Sequence, residues 1–172
     1  MPKDISLSDA RLIILQSQLL QPLSPIQGKN DALKTIEHLG YVQIDTLSVV
    51  ERAHHHTLWS RVSDYQKNGL DELVEQKQVF EYWSHAASFL PMKDFRFSLV
   101  KKSFYINGKS HWFEQDKKVK RYVLSRIKRE GPLQSKDFEA DNDVKGTWYY
   151  WKPAKRALEQ LFMEGKLMVS HR

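Results

Sequence analysis

The chain has 172 residues, 41% of them hydrophobic, with a formal net charge of +6 and a sequence pI near 9.4. That is length for one sizeable domain or two small ones, with enough apolar content to bury a core, and the basic balance favours an acidic partner. The absence of cysteine excludes disulfides, thiolate nucleophiles and cysteine zinc sites and fits a reducing cytoplasmic setting, where a DNA-bound protein would be nucleoid-associated.

Near the start, Lys3, Asp4, Ser6 and Asp9 interrupt any signal-peptide core. No apolar run approaches the ~20 residues of a membrane helix, so no membrane partner is expected. Ser6-Leu7-Ser8-Asp9 fits a capping box. Leu12, Leu15, Leu19 and Leu20 follow at helical spacing until Pro22 and Pro25. Asn30 is placed to cap a second helix with Leu33, Ile36 and Leu39 as its stripe, and Gly40 suits a left-handed end. A strand over Val42–Asp45 follows. In a strand, positions i and i+2 share a face. Gln43 and Asp45 are therefore expected side by side, with Val42 and Ile44 turned inward. An amide beside a carboxylate can hold and activate a water. The bland alternative is two ordinary solvent-facing strand residues.

Residues Ser48 to Tyr65 read as the start of a further helix, Val79–Trp83 as a strand, and about Met92 to Tyr105 as a helix. Asn107-Gly108-Lys109-Ser110 reads as a turn, dividing two units at 1–107 and 108–172. From Arg96 to Arg129, eleven cations face only Glu114 and Asp116, a local charge of +9. Phe97, Phe104, Tyr105, Trp112 and Phe113 are interleaved among them. Such a stretch is either a solvated helix face or a phosphate-binding surface, and Lys101 and Lys102 are candidates for DNA contact.

In the second unit, Val119, Tyr122, Val123 and Ile127 form one helical stripe, stopped by Gly131-Pro132. A short helix around Ser135–Ala140 and a loop through Gly146 lead to Pro153, suited to a first helical turn. Ala154, Ala157, Leu158, Leu161 and Phe162 follow at core spacing, and Gly165 closes the helix. Leu167 and Val169 alternate as a strand whose returning partner is missing. Lys152, Lys155 and Arg156 lie in the first turns, opposite the apolar stripe, where helix-turn-helix folds meet DNA. Trp148 to Trp151 either stack bases or pack the root of that helix.

The fold expected is α+β and mainly helical, with tandem winged helix-turn-helix units and short strands. Gly40-Tyr41-Val42-Gln43-Ile44-Asp45-Thr46, Val49 to His54, Phe80-Glu81-Tyr82-Trp83-Ser84-His85-Ala86-Ala87, Gly131-Pro132-Leu133 and Trp148 to Leu167 occur in one ordered series. This series resembles the winged-helix DNA glycosylases of the YcaQ and AlkZ type, which unhook interstrand crosslinks. The resemblance implies N-glycosidase activity on alkylated bases in double-stranded DNA. It also matches Gln43-Ile44-Asp45 to the family's Gln-hydrophobic-Asp catalytic motif. Family members are longer, with a third winged helix and a C-terminal domain. Leu19 stands where the family often has Gly, and Gln134 where a Ser cap is usual.

The chemistry then assigns Asp45 as general base and stabiliser of the cationic sugar, with Gln43 orienting the water. An N7-alkylpurine is already cationic in the nucleotide and leaves easily, so little general-acid help is needed, and no cofactor is expected. His54-His55-His56 offers no metal site, because consecutive helical positions point in different directions. His54, within Arg52-Ala53-His54, is a candidate to line the site or contact a phosphate, as is His85. Arg52 and Arg61 either bind phosphates or pair with Glu51 and Asp64. The competing function is a non-catalytic winged-helix DNA-binding module, a regulator, or a remnant of the glycosylase that needs a partner chain.

Overall fold

The structure is a computed structural model that describes residues 4–21, 31–45, 48, 50–108, 114–141 and 153–171. It divides into two compact units, residues 1–95 with 171–172, and residues 96–170. In the first unit, α1 spans Leu7–Ser17, α2 Asp31–Leu39, β1 Val42–Gln43, α3 Ala53–Trp59, α4 Lys67–Glu75, β2 Val79–Trp83 and β3 Ala87–Pro91. A short 3-10 turn over Met92–Asp94 leads into α5, Phe95–Ile106. α6 (Lys117–Glu130), a 3-10 segment (Ser135–Asp141) and α7 (Pro153–Met163) follow in the second unit. The fold is mainly helical, with one small antiparallel sheet among the described residues.

Ser6 caps α1 as expected, but the Asp9 carboxylate takes the Ser6 hydroxyl instead of the backbone N–H that a full capping box uses. The Asp9 amide donates to Ser6 Oγ at 3.1 Å, and Ser6 Oγ donates to Asp9 Oδ2 at 2.7 Å. The stripe behind it behaves differently from its spacing. α1 buries no residue, and Leu12 and Leu15 remain 41% and 38% exposed. Two side chains tie down its C-terminal end instead. His38 Nε2–H donates to Ser17 O at 2.7 Å and Arg61 Nε–H to Gln18 O at 2.8 Å. Leu19 then takes φ +55, with Leu20 N–H returning to Leu15 O. This is the left-handed closure that glycine makes without strain.

α2 turns Ile36 fully into the core and ends at Gly40, φ +81. The sheet order is β1-β3-β2, both pairings antiparallel. The sequence pattern points to neither β3 nor α4. Ala87–Pro91 has no β-branched residue and ends in proline, so its strand state comes from having a neighbour on each side. β2 buries Val79, Phe80, Glu81 and Tyr82 in succession, so it shows no alternation. Ile36, Val42, Leu58, Leu70, Val79 and Phe89 meet in the first core. Elements that start far apart in sequence are thereby fixed under β1.

In the second unit, Asp116 caps α6, accepting from the Lys118 and Val119 amides at 2.8 and 3.1 Å. Gly131, at φ +88, ends it. Val123, Ala157 and Leu161 form a small core, with Val119, Ile127, Ala154 and Leu158 around it. Tyr122 is left at its edge, T-stacked on Phe138 at 6.2 Å. The strand expected at Leu167 and Val169 does not form: residues 167–170 are not strand, and the sheet among the described residues holds only β1, β2 and β3. Leu167 packs on the helical core, which satisfies its side chain without a sheet. Asn30, Pro22, Pro25, Gly146 and Trp148 to Trp151 lie outside the described residues.

Candidate functional site

The strand expected over Val42–Asp45 is only Val42–Gln43, so it carries the amide and leaves the acid two residues past its end. Val42 faces Phe89 and Gln43 faces Ser88 across the β1–β3 ladder. The Ile44 amide continues the pairing, donating to Ala87 O at 2.8 Å. Val42 and Ile44 are 1% and 8% exposed, whereas Gln43 is exposed and Asp45 half-buried. That alternation follows from a pleat with one side in the core, and it leaves Gln43 and Asp45 on the outer side. Pairing ends at Asp45, whose backbone N–H donates to His54 Nδ1 at 3.4 Å. His54 is therefore an acceptor at Nδ1 and carries its proton at Nε2.

His54 is 3% exposed, with its ring against Phe89 and against His55 at 4.3 Å. It supports the end of β1 from inside. His55 points elsewhere and meets the Tyr65 hydroxyl at 2.8 Å. Burial holds the His55 imidazole below its ordinary pKa and pushes the Tyr65 phenol up. Burial is the first cause of both shifts, and both favour a phenol that donates to a neutral ring. Among the described residues no cluster of three His, Asp or Glu is placed to hold a metal ion.

The two arginines near this strand are placed differently. Arg61 spends its donors on Gln18 O, Thr57 O and Ser60 Oγ at 2.8 to 2.9 Å. It ties α3 to the end of α1. The half-buried Arg52 gives its backbone N–H to Glu51 Oε1, and the other Glu51 oxygen takes Lys67 at 2.6 Å. Those bonds, Lys67's first, hold the Glu51 carboxyl down at about 2. Glu51 is thus paired with Lys67, a partner sixteen residues away that no sequence motif suggests.

The β2–β3 hairpin brings a third side chain to the strand. His85, in the turn between Trp83 and Ala87, lies 3.3 Å from Gln43 Oε1 through Nε2. Its ring stands edge-on to Tyr41 at 4.9 Å. The sequence marks His85 only as part of the run Tyr82-Trp83-Ser84-His85-Ala86. Its contact with Gln43 depends on β3 inserting between β1 and β2, which no local pattern announces.

Cations populate the second unit. On α5, Lys101 is half-buried and Arg96 and Phe97 are exposed, the guanidinium 4.8 Å from the ring centroid. Lys102 is 5% exposed, and its methylenes fill the space above Gly165, where an added Cβ would lie 2.5 Å from Cδ. Lys155 is exposed on α7 and Arg156 half-buried. Arg156 lines a cavity of about 550 Å³ with Lys117, Lys118 and Gln160, flanked by Glu114 and Asp116. This concavity lies in the second unit, whereas Gln43 is on β1, the outer strand of the sheet among the described residues, and Asp45 just past its end, in the first. Cavity size alone therefore does not locate chemistry here. Lys152 lies outside the described residues.

A basic, mainly helical chain with an outward amide on a short strand and a carboxylate two residues past it has the features expected of a nucleic-acid enzyme. The family model for AlkZ-like DNA glycosylases matches residues 36–172, and the chain belongs to that family. Membership makes DNA the partner and glycosylase the kind of enzyme. No solved structure matches the chain.

Proposed function

We propose that this protein hydrolyses the N-glycosidic bond of N7-alkylated purine nucleotides in double-stranded DNA, including crosslinked ones. Asp45 takes a proton from water and stabilises the cationic sugar, while Gln43 holds that water. The reading is supported by an exposed Gln43 on β1 and a half-buried Asp45 two residues past it, with Val42 and Ile44 packed inward. As the base departs, positive charge grows on the sugar, and a nearby carboxylate lowers the energy of that state. A cationic base leaves without protonation, so the pair needs no separate general acid. The exposure of Gln43 also suits a lesion too bulky for a closed pocket.

Two winged-helix units frame this reading, within the segments 1–107 and 108–172, the second with no wing strand among the described residues. In the first, α2, β1, α3, α4, β2 and β3 follow in the order helix, strand, helix, helix, strand, strand, with the first strand paired to the last. The second is built around α6 and α7. The helix before the first hairpin, α4, exposes Asp71, Glu72 and Glu75, so phosphates would find little purchase there. Contact falls to Arg52 beside the strand and to Lys101, Lys152, Lys155 and Arg156 further on. Arg61 and His54 serve as supports within the first unit, and Lys102 within the second.

The test is base release from an N7-methylguanine duplex and a crosslinked duplex, with abasic sites as the readout. Wild-type release that Asp45→Asn abolishes supports the mechanism. Binding without release would make the protein a DNA-binding module instead.

A further inference from the structure

We propose that His85 is a positioning residue that fixes which end of the Gln43 carboxamide faces outward; this rests on the glycosylase reading above. A carboxamide presents an acceptor at one end and two donors at the other, and rotation exchanges them. A water between Gln43 and Asp45 needs opposite partners. The carboxylate accepts its proton, so the amide must donate to its oxygen, leaving a lone pair for the sugar carbon. An amide turned the other way would compete with Asp45 for the water's protons.

The hairpin supplies the constraint. His85 Nε2 faces Gln43 Oε1 at 3.3 Å, and a carbonyl oxygen can only accept, so the proton is on Nε2. Nδ1 then accepts, and Ser84 Oγ stands 3.3 Å from it. Ser88, directly across from Gln43 in the ladder, gives its own hydroxyl proton to Ala86 O at 3.1 Å. The one proton of Ser84 has two acceptors at 3.3 Å, Ser88 Oγ and His85 Nδ1, so the assignment rests on the Nε2–Gln43 Oε1 contact. The edge-on Tyr41 ring limits ring rotation from the other side. With Oε1 engaged, the Gln43 NH2 group is the end left to face the water. Strand, turn and register together set a polarity that Gln43 alone would not have.

Two variants read this. His85→Ala is at an exposed turn position and leaves the fold intact by circular dichroism. It should lower kcat at least tenfold, toward the ~10²-fold cost of a misplaced group, with KM for the duplex little changed. In a Gln43→Ala background it should cost nothing further, because its effect runs through the amide. Gln43→Glu keeps an acceptor for His85 but removes the NH2 donors, and it should be as inactive as Gln43→Ala. The independent readout is the Gln43 side-chain NH2 pair in nitrogen–proton NMR spectra. In the wild type it should be dispersed, and His85→Ala should move it to free-amide shifts. Unchanged NH2 signals in His85→Ala, or equal losses in both backgrounds, would overturn the inference. Silence of the wild type on every alkylated duplex would instead defeat the glycosylase reading, and the NMR comparison would still decide the role of His85.

Discussion

The two halves of this chain carry opposite charge. Residues 1–95 hold nine lysines and arginines against twelve aspartates and glutamates, a net of −3, while residues 96–170 hold seventeen against nine, a net of +8. The sheet and the amide–carboxylate pair belong to the acidic half. The cationic helices and the interleaved aromatics belong to the other. The difference teaches that attraction to a polyanion and chemistry on it are separable tasks. A general base crowded by cations loses basicity. On the function proposed above, Asp45 works within the acidic unit and the basic unit supplies most of the charge that attracts DNA.

The largest effect expected tests the acidic half. Asp45→Asn should cut base release by about 10²–10⁴-fold, the usual worth of a positioned base. Duplex affinity should stay put, because the charge that holds DNA lies elsewhere. A parallel loss of affinity in a gel-shift titration would break the division of labour.

Next comes the integrity of the basic half. Lys120 and Glu164 form a buried pair at 2.5 Å, joined by Lys166 at 3.1 Å. Burial raises the Glu164 carboxyl, but the bonds from both lysines outweigh it and leave it below its ordinary value. Glu164→Ala strands a buried ammonium and should cost about 3–5 kcal/mol in urea unfolding. Replacing both residues by apolar ones should restore much of that. A single variant of unchanged stability would show that Lys120 reaches water easily.

Charge removal sharpens the comparison further. Replacing Lys155 and Arg156 by alanine should reduce the slope of log affinity against log salt by ~0.9 for each phosphate left unneutralised. Lys67→Ala and Lys77→Ala, in the acidic half, should leave the slope alone. Equal effects from both pairs would erase the distinction between the halves.

The pH dependence is smaller and belongs to the first unit. The folded His55 pKa lies below the ordinary 6.5 because the ring is buried. Its contribution is therefore complete above about pH 6.5. It fades as pH falls from there through the folded value, because the unfolded chain takes the proton first. Part-exposed as it is, His55 supplies well under the ~1.4 kcal/mol per pH unit of a full proton. His55→Gln should flatten the melting profile between pH 6.5 and 5, and a steeper profile would reverse the sign.

Smallest is a backbone effect. α4 and α7 close with the same left-handed turn, on Lys77 at φ +57 and on Gly165 at φ +71. Lys77→Gly should gain up to about 1 kcal/mol by releasing that conformation. Lys102 methylenes crowd Gly165, so Gly165→Ala should lose stability.

Much of this was legible in the residues themselves, wherever one short-range rule acted alone. Ser6 with Asp9, Gly40 after Leu39, Pro153 opening α7 and the stripe through Ala157 and Leu161 each need only their neighbours along the chain. The alternation Val42, Gln43, Ile44, Asp45 belongs to the same class, because the pleat has period two wherever a strand forms. Tertiary structure decided the rest. It left the leucines of α1 exposed, because helical spacing states which residues share a side and not whether anything covers it. It made Ala87–Pro91 a central strand by giving it two neighbours, and it denied Leu167 and Val169 a strand by giving them none. It buried Lys102 and His54, whose charge and polarity alone would place them outside. It also carried His85 from a distant hairpin to Gln43, because sheet order is set by which surfaces pack, and no stretch of sequence contains that information locally.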